Sequence, residues 1–217
     1  RKEMKKENTN PELAEAIPSI EFLGFDVTLF GVFIMIILGS IYGAAEYKCS
    51  AIRTSLLSIT NRSTFLVSKT LVWLVFSFFI SFLSIFLTIN MTHYVLGQDG
   101  LLLFSLNGTV WFYIFLASIA WTLLGLLAYI MALTFKTAIV PLLFLLPQVY
   151  SLGTFLANYI SVAKFLPVAL GQGLIATSPQ ILEQNSLQHI LLLLCWNFSF
   201  LALAIYRLLK SDIGGGE

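Results

Sequence analysis

Residues 46–69 read EYKCSAIRTSLLSITNRSTFLVSK, and Glu46, Lys48, Arg53, Arg62 and Lys69 all fall within them. The runs on either side, 27–45 and 70–89, contain no Asp, Glu, Lys or Arg. Uncharged apolar runs of about twenty residues are long enough to cross a bilayer as helices, so the stretch between them reads as a basic, amphipathic connection joining two spans. The fold class follows: an all-α integral membrane protein, because a helix satisfies its own backbone hydrogen bonds in lipid.

Composition agrees with that class. The chain is 58% hydrophobic and 11% charged, with a mean hydropathy of +0.90, whereas soluble domains run at about 45–50% apolar and about 25% charged. The net charge of +1 says little about partners and does not point to nucleic acid, because in a membrane protein the placement of charge is more informative than its sum. Cys49 lies in the connection and Cys195 inside an apolar run. At such different depths they are not expected to form a disulfide.

Working outward, 1–217 reads as a single transmembrane domain of five spans. Residues 1–20 mix Lys and Arg with Glu, are broken by Pro11 and Pro18, and form a solvated lead segment. The first span, 23–45, measures roughly 34 Å at about 1.5 Å per residue, enough for a hydrocarbon core of about 30 Å. It follows a polar lead and ends in no small-residue cleavage pattern, so it reads as a true span rather than a secretory signal. Thr28, Gly31, Gly39 and Gly43 share a face of it, and Gly39 with Gly43 invites the close approach of another helix.

The second span, 70–89, carries Ser77, Ser81, Ser84 and Thr88 at spacings of four, three and four. This stripe reads either as a helix-packing face or as the lining of a translocation path. After a polar connection at 90–108, the third span, 109–133, sets Ser118, Thr122, Gly125 and Ala132 along one side. A tight hairpin leads to the fourth, 138–159, which contains Pro141, Pro147, Gln148, Gly153 and Asn158 and is expected to kink near Pro147. Gln148 and Asn158, polar and deep in a span, bond a neighbouring helix or line the same path. Residues 161–187 are too polar and broken to span and read as short interfacial or re-entrant helices on the outer side. The fifth span, 189–206, ends at Arg207 and Lys210.

Orientation comes from Lys and Arg near the span ends. With the connection inside the cell, that side holds Lys48, Arg53, Arg62, Lys69, Lys136, Arg207 and Lys210, against Lys164 and the four basic residues of the lead segment outside. The lead segment is then extracellular and the C-terminus cytoplasmic.

On these residues the chain resembles the ABC-2 type permeases, the membrane subunits of bacterial exporters. That family's cytoplasmic coupling helix carries a pattern matched here by Glu46, Arg53, Leu56, Leu57, Arg62 and Lys69, with Ser50 where the family has glycine and Ile59 where it has proline. The opening Glu46-Tyr47-Lys48 is nearest to permeases of lantibiotic-immunity and antimicrobial-peptide exporters. The resemblance implies six spans in the full family fold, so that 23–45 is the family's second helix and one precedes Arg1. It also implies short external helices around Phe165-Leu166-Pro167. It implies a bacterial plasma-membrane location, a second permease copy or homologue, and separate ABC ATPase subunits that hold ATP and Mg and dock on 46–69.

The chain itself has no GxxxxGK[ST] phosphate loop and is not expected to hydrolyse ATP; no His/Cys/carboxylate cluster has metal-ligand spacing, so no catalytic site, cofactor or metal ligand set is expected in it. In this reading Ile52, Leu56, Leu57 and Ile59 offer apolar contacts to the ATPase, Arg53 and Arg62 offer charge, and Glu46 accepts a hydrogen bond from the connection or pairs with Arg53. The competing reading of 46–69 is a snorkelling basic loop that only satisfies the positive-inside preference. Walls of Phe, Leu, Ser and Thr without mid-span charges suit an amphipathic peptide or lipid-like cargo. A secondary transporter, expected to show mid-membrane ionisable groups and internal repeats, and a non-transport assembly or sensor subunit are the alternatives.

Overall fold

The computed structural model describes residues 23–47, 62–95, 106, 108–149, 161–175, 177 and 186–210. Its elements are α1 (Phe25–Ala45), α2 (Arg62–Val95), α3 (Gly108–Phe135), α4 (Ile139–Pro147), a 3₁₀ turn (Ser161–Phe165), α5 (Pro167–Gln172) and α6 (Ser186–Lys210). All are helical. Four of them, α1, α2, α3 and α6, are long and apolar enough to cross a membrane, so the chain is a multi-pass helical membrane protein.

The central element is α3, which packs against α1, α2, α4, α5 and α6. Of its most apolar 18 residues 89% are buried, against 44% in α1, 28% in α2 and 17% in α6. The outer helices therefore present large apolar faces, such as Phe30, Ile34 and Leu38 on α1 and Val72, Phe76 and Phe79 on α2. In water these faces would be costly; in lipid they are the solvated surface.

The closest seam lies between α1 and α3. A Cβ added at Gly39 would run into the carbonyl oxygen of Gly125, and one added at Gly43 into that of Tyr129. Gly31 makes room for the Trp121 ring in the same way. The two small-residue faces visible in the sequence, one on each helix, are thus turned toward each other, as expected where van der Waals contact rather than hydrophobic burial drives association in a bilayer.

Three features depart from the expected spans. The second helix is not 70–89 but Arg62–Val95, 34 residues, about 51 Å at about 1.5 Å per residue. It absorbs the last third of the 46–69 stretch because no Gly or Pro interrupts 62–95. The hydroxyls of Ser68, Thr70, Thr88 and Thr92 donate back to carbonyls four residues earlier, which keeps them satisfied within the helix.

The fourth expected span, 138–159, is described only in part, with the nine-residue α4 as its regular α-helical portion. Regular α-helix stops at Pro147, whose ring removes a donor and crowds the preceding turn, and a wider turn follows at Gln148 and Val149. Residues 150–160 lie outside the described residues, so four spans, not five, stand among those described.

The hydroxyl stripe is the third departure. The buried register of α2 runs Leu66, Thr70, Trp73, Ser77, Ser81, Ile85, Ile89. Ser77 and Ser81 lie on it, whereas Ser84 and Thr88 are half-buried beside it. The four hydroxyls keep within about 60° of one another at about 100° per residue, while the buried register, stepping by four from Ser77 through Ser81 and Ile85 to Ile89, drifts round the helix away from Ser84 and Thr88.

Candidate functional site

Two charged residues of the sequence pattern, Glu46 and Lys69, meet at one end of the bundle, where α1 stops and α2 starts. α1 closes with a bond from the Tyr47 N–H to the Ala44 carbonyl, leaving Glu46 pointing into protein, 7% exposed. Lys69, two turns into α2, donates to both its carboxylate oxygens at 2.8 and 2.9 Å. This is the single ion pair among the described residues. Lys69 also lies over the Phe65 ring at 5.5 Å.

Because Glu46 is almost wholly buried and Lys69 about one-third exposed, the pair falls between two limits. An exposed pair contributes up to roughly 1 kcal/mol, and removing one partner of a buried pair costs roughly 3–5 kcal/mol. Sequence reasoning offered a residue of the 46–69 connection, or Arg53 in particular, as the partner of Glu46; Lys69, the last residue of that connection, engages both carboxylate oxygens, and Arg53 lies outside the described residues. Geometrically the pair joins the two ends of the stretch 48–61.

Beneath the ion pair, three rings from three helices stack. Tyr42 of α1 and Trp73 of α2 are 4.8 Å apart with planes at 19°, and Tyr129 of α3 is 5.8 Å from Trp73 and 5.6 Å from Tyr42. Such pairs are worth about 0.5–1.5 kcal/mol each beyond their buried area. The Trp73 indole N–H reaches the Gly125 carbonyl at 3.4 Å. Gly43 is what lets the α3 backbone at Tyr129 come this near.

The end of α3 is held from two sides. The Tyr47 hydroxyl donates to the Leu133 carbonyl at 2.7 Å, and Arg207 of α6 donates to the Thr134 carbonyl at 2.9 Å. A cation on the last carbonyls of a helix also meets the negative end of its dipole. Burial pushes the Tyr47 phenol up, with Glu46 adding and Arg207 opposing, so it stays a protonated donor at neutral pH. The result is a polar layer in which Glu46, Lys69, Tyr47 and Arg207 tie α1, α2, α3 and α6 together.

The other expected residues fall elsewhere. Arg53, Leu56, Leu57 and Asn158 lie outside the described residues, and Arg62 is the first residue of α2. Of the residues read as path lining, Ser77 donates to the Leu74 carbonyl and Thr88 to the Ser84 carbonyl, both within α2, while the buried Ser81 hydroxyl has no partner among the described residues. Gln148 donates to the Phe144 carbonyl at 2.7 Å and accepts the Val168 N–H at 3.5 Å, linking α4 to α5. No group of three or more His, Cys, Asp or Glu with metal-binding proximity occurs among the described residues.

Sequence reasoning missed Tyr42, Tyr47, Trp73, Tyr129 and the Arg207 contact as members of this layer. An aromatic at a span end was a signal for Tyr42 and Tyr47, since such rings favour membrane interfaces. No protein-family model, curated protein or solved structure matches the chain.

Proposed function

We propose that the chain is the membrane subunit of an ATP-driven bacterial exporter of the ABC-2 type, and that 46–69 is where a separate ATPase delivers force. The observation that carries this reading is the Glu46–Lys69 pair. These are the first and last residues of the pattern by which the chain resembles the family, and they bond each other at the base of the stretch. A push on 48–61 therefore reaches α1 and α2 together and, through Tyr47 and the ring stack, α3. A loop needed only for positive charge on the inner face has no use for a buried carboxylate at its root.

In this proposal the connection and the C-terminus face the cytoplasm of a bacterial cell, and a second copy or homologue completes the path. ATP and Mg stay on the partner, and the cargo is an amphipathic peptide or lipid-like molecule reaching the path from the bilayer. The test is co-purification with the ATPase. Arg53→Ala and Leu57→Asp should each lose the ATPase while the chain still inserts into the membrane. Retention of the ATPase by both variants overturns the proposal.

A further inference from the structure

At the same end of the bundle a recess of about 420 Å³ opens between the ends of α3 and α6, lined by Thr134, Phe135, Lys136, Tyr206, Arg207 and Lys210. Among its described lining residues three, Lys136, Arg207 and Lys210, are cations and none is a carboxylate. We infer that this recess binds the phosphate headgroup of an anionic phospholipid from the leaflet it faces.

Each cation is held in place by the fold. Arg207 is fixed by its bond to the Thr134 carbonyl and by the Phe135 ring, 5.6 Å from the guanidinium. One Arg207 nitrogen is used by that bond, and a guanidinium has five N–H donors in total. Lys210 lies against Tyr206, 3.4 Å from its hydroxyl and 5.7 Å from its ring. Lys136 lies 5.8 Å from the Tyr47 ring.

Lys136 supplies a second, independent observation. It ends α3 in the left-handed conformation, φ 58°, and it is the one residue other than glycine with positive φ among the described residues. Glycine or asparagine ordinarily occupies that position after a helix, because a Cβ there is strained. A lysine kept at a site that favours glycine suggests that its charge has a use at the recess mouth.

The setting favours a lipid over free phosphate. The recess stands at the end of two spans, where headgroups lie, and basic pockets between helices on the inner side are the usual seats of anionic headgroups. Exposed apolar side chains continue away from it on both flanks, Ile139 and Leu143 on α4 and Leu203 on α6. Acyl chains can follow those flanks while the phosphate stays among the three cations.

The test uses the purified full chain in neutral detergent. It is titrated with phosphatidylglycerol, phosphatidylcholine or inorganic phosphate and read by native mass spectrometry for lipid adducts and by thermal shift. Phosphatidylglycerol should bind saturably and in preference to phosphatidylcholine. Lys136→Gly and Lys210→Gln should each weaken it about fivefold, following the contribution of one basic residue near an anionic surface. Lys136→Gly removes strain along with charge, so its melting temperature should hold or rise while lipid affinity falls, which separates loss of a ligand from loss of fold. Equal binding of the two lipids, or unchanged affinity in both variants, overturns the inference. If inorganic phosphate alone gives the full shift and phosphatidylglycerol adds nothing, the recess is a free-anion site and the lipid assignment fails.

Discussion

Along the seam between α1 and α3 two of the three glycines of α1 press directly on backbone: Gly39 faces the Gly125 carbonyl and Gly43 that of Tyr129. On the flank formed by α4 and α5 the contacts, both to the central helix and within the flank, are made through side chains. Gly171 abuts the Leu124 side chain, Trp196 of α6 donates to the Phe165 carbonyl at 3.0 Å, and Gln172 donates to the Val149 carbonyl at 3.3 Å. Backbone cannot move aside for an intruding atom, whereas a leucine changes rotamer and a side-chain hydrogen bond lengthens. The seam is therefore the stiff part of the bundle and the flank the adjustable part, and the polar layer at Glu46 and Lys69 is attached to the stiff part. If the chain is driven from 46–69, α1 and α3 move as a unit and the α4–α5 flank takes up the change.

The contrast can be broken most severely at Gly39. Gly39→Leu forces side-chain atoms into the Gly125 carbonyl and is expected to exceed the roughly 1–3 kcal/mol of ordinary overpacking, appearing as loss of a monodisperse, cooperatively melting protein in detergent. At the polar layer the expected cost is intermediate. Glu46→Gln should destabilise by about 1–3 kcal/mol, and the Glu46→Gln, Lys69→Met double variant by less than the sum of the two single changes. Thermal melts of the four proteins measure that coupling, and strict additivity would mean the pair contributes nothing.

The smallest effect belongs to the flank. Gly171→Ala first meets the movable end of the Leu124 side chain and should cost about 1 kcal/mol, the low end of ordinary overpacking. A Gly171→Ala loss as large as that of Gly39→Leu would erase the distinction between seam and flank.

Much of the seam was legible in the sequence because its signal is local. The uncharged runs 27–45, 70–89 and 109–133 correspond to α1, the middle of α2 and α3, and Gly39, Gly43, Gly125 and Ala132 lie on the faces that meet. Periodicity gives a residue its face but not its neighbour. Tyr47 bonds a carbonyl 86 residues away and Arg207 one 73 residues away, and nothing within either stretch announces those partners.

The length of α2 was underestimated for a different reason. Charge was taken to end a span, but Arg62 and Lys69 extend the helix past the apolar run, and Lys69 finds a carboxylate there. In the α4 region the prolines were correctly placed as the source of irregularity. The described part of the expected fourth span is regular α-helix as far as Pro147; the rest of it, 150–159, lies outside the described residues. The Glu46–Lys69 pairing needed the ends of α1 and α2 to be brought side by side, a fact of tertiary structure.

The central claim is that the connection between α1 and α2 faces the cytoplasm, where an ATPase can grip it. With Cys195→Ser leaving Cys49 as the single thiol, a membrane-impermeant maleimide should label the chain in inverted membrane vesicles and leave it unlabelled in intact cells. Labelling of Cys49 in intact cells, with inverted vesicles protected, would contradict the account at its root.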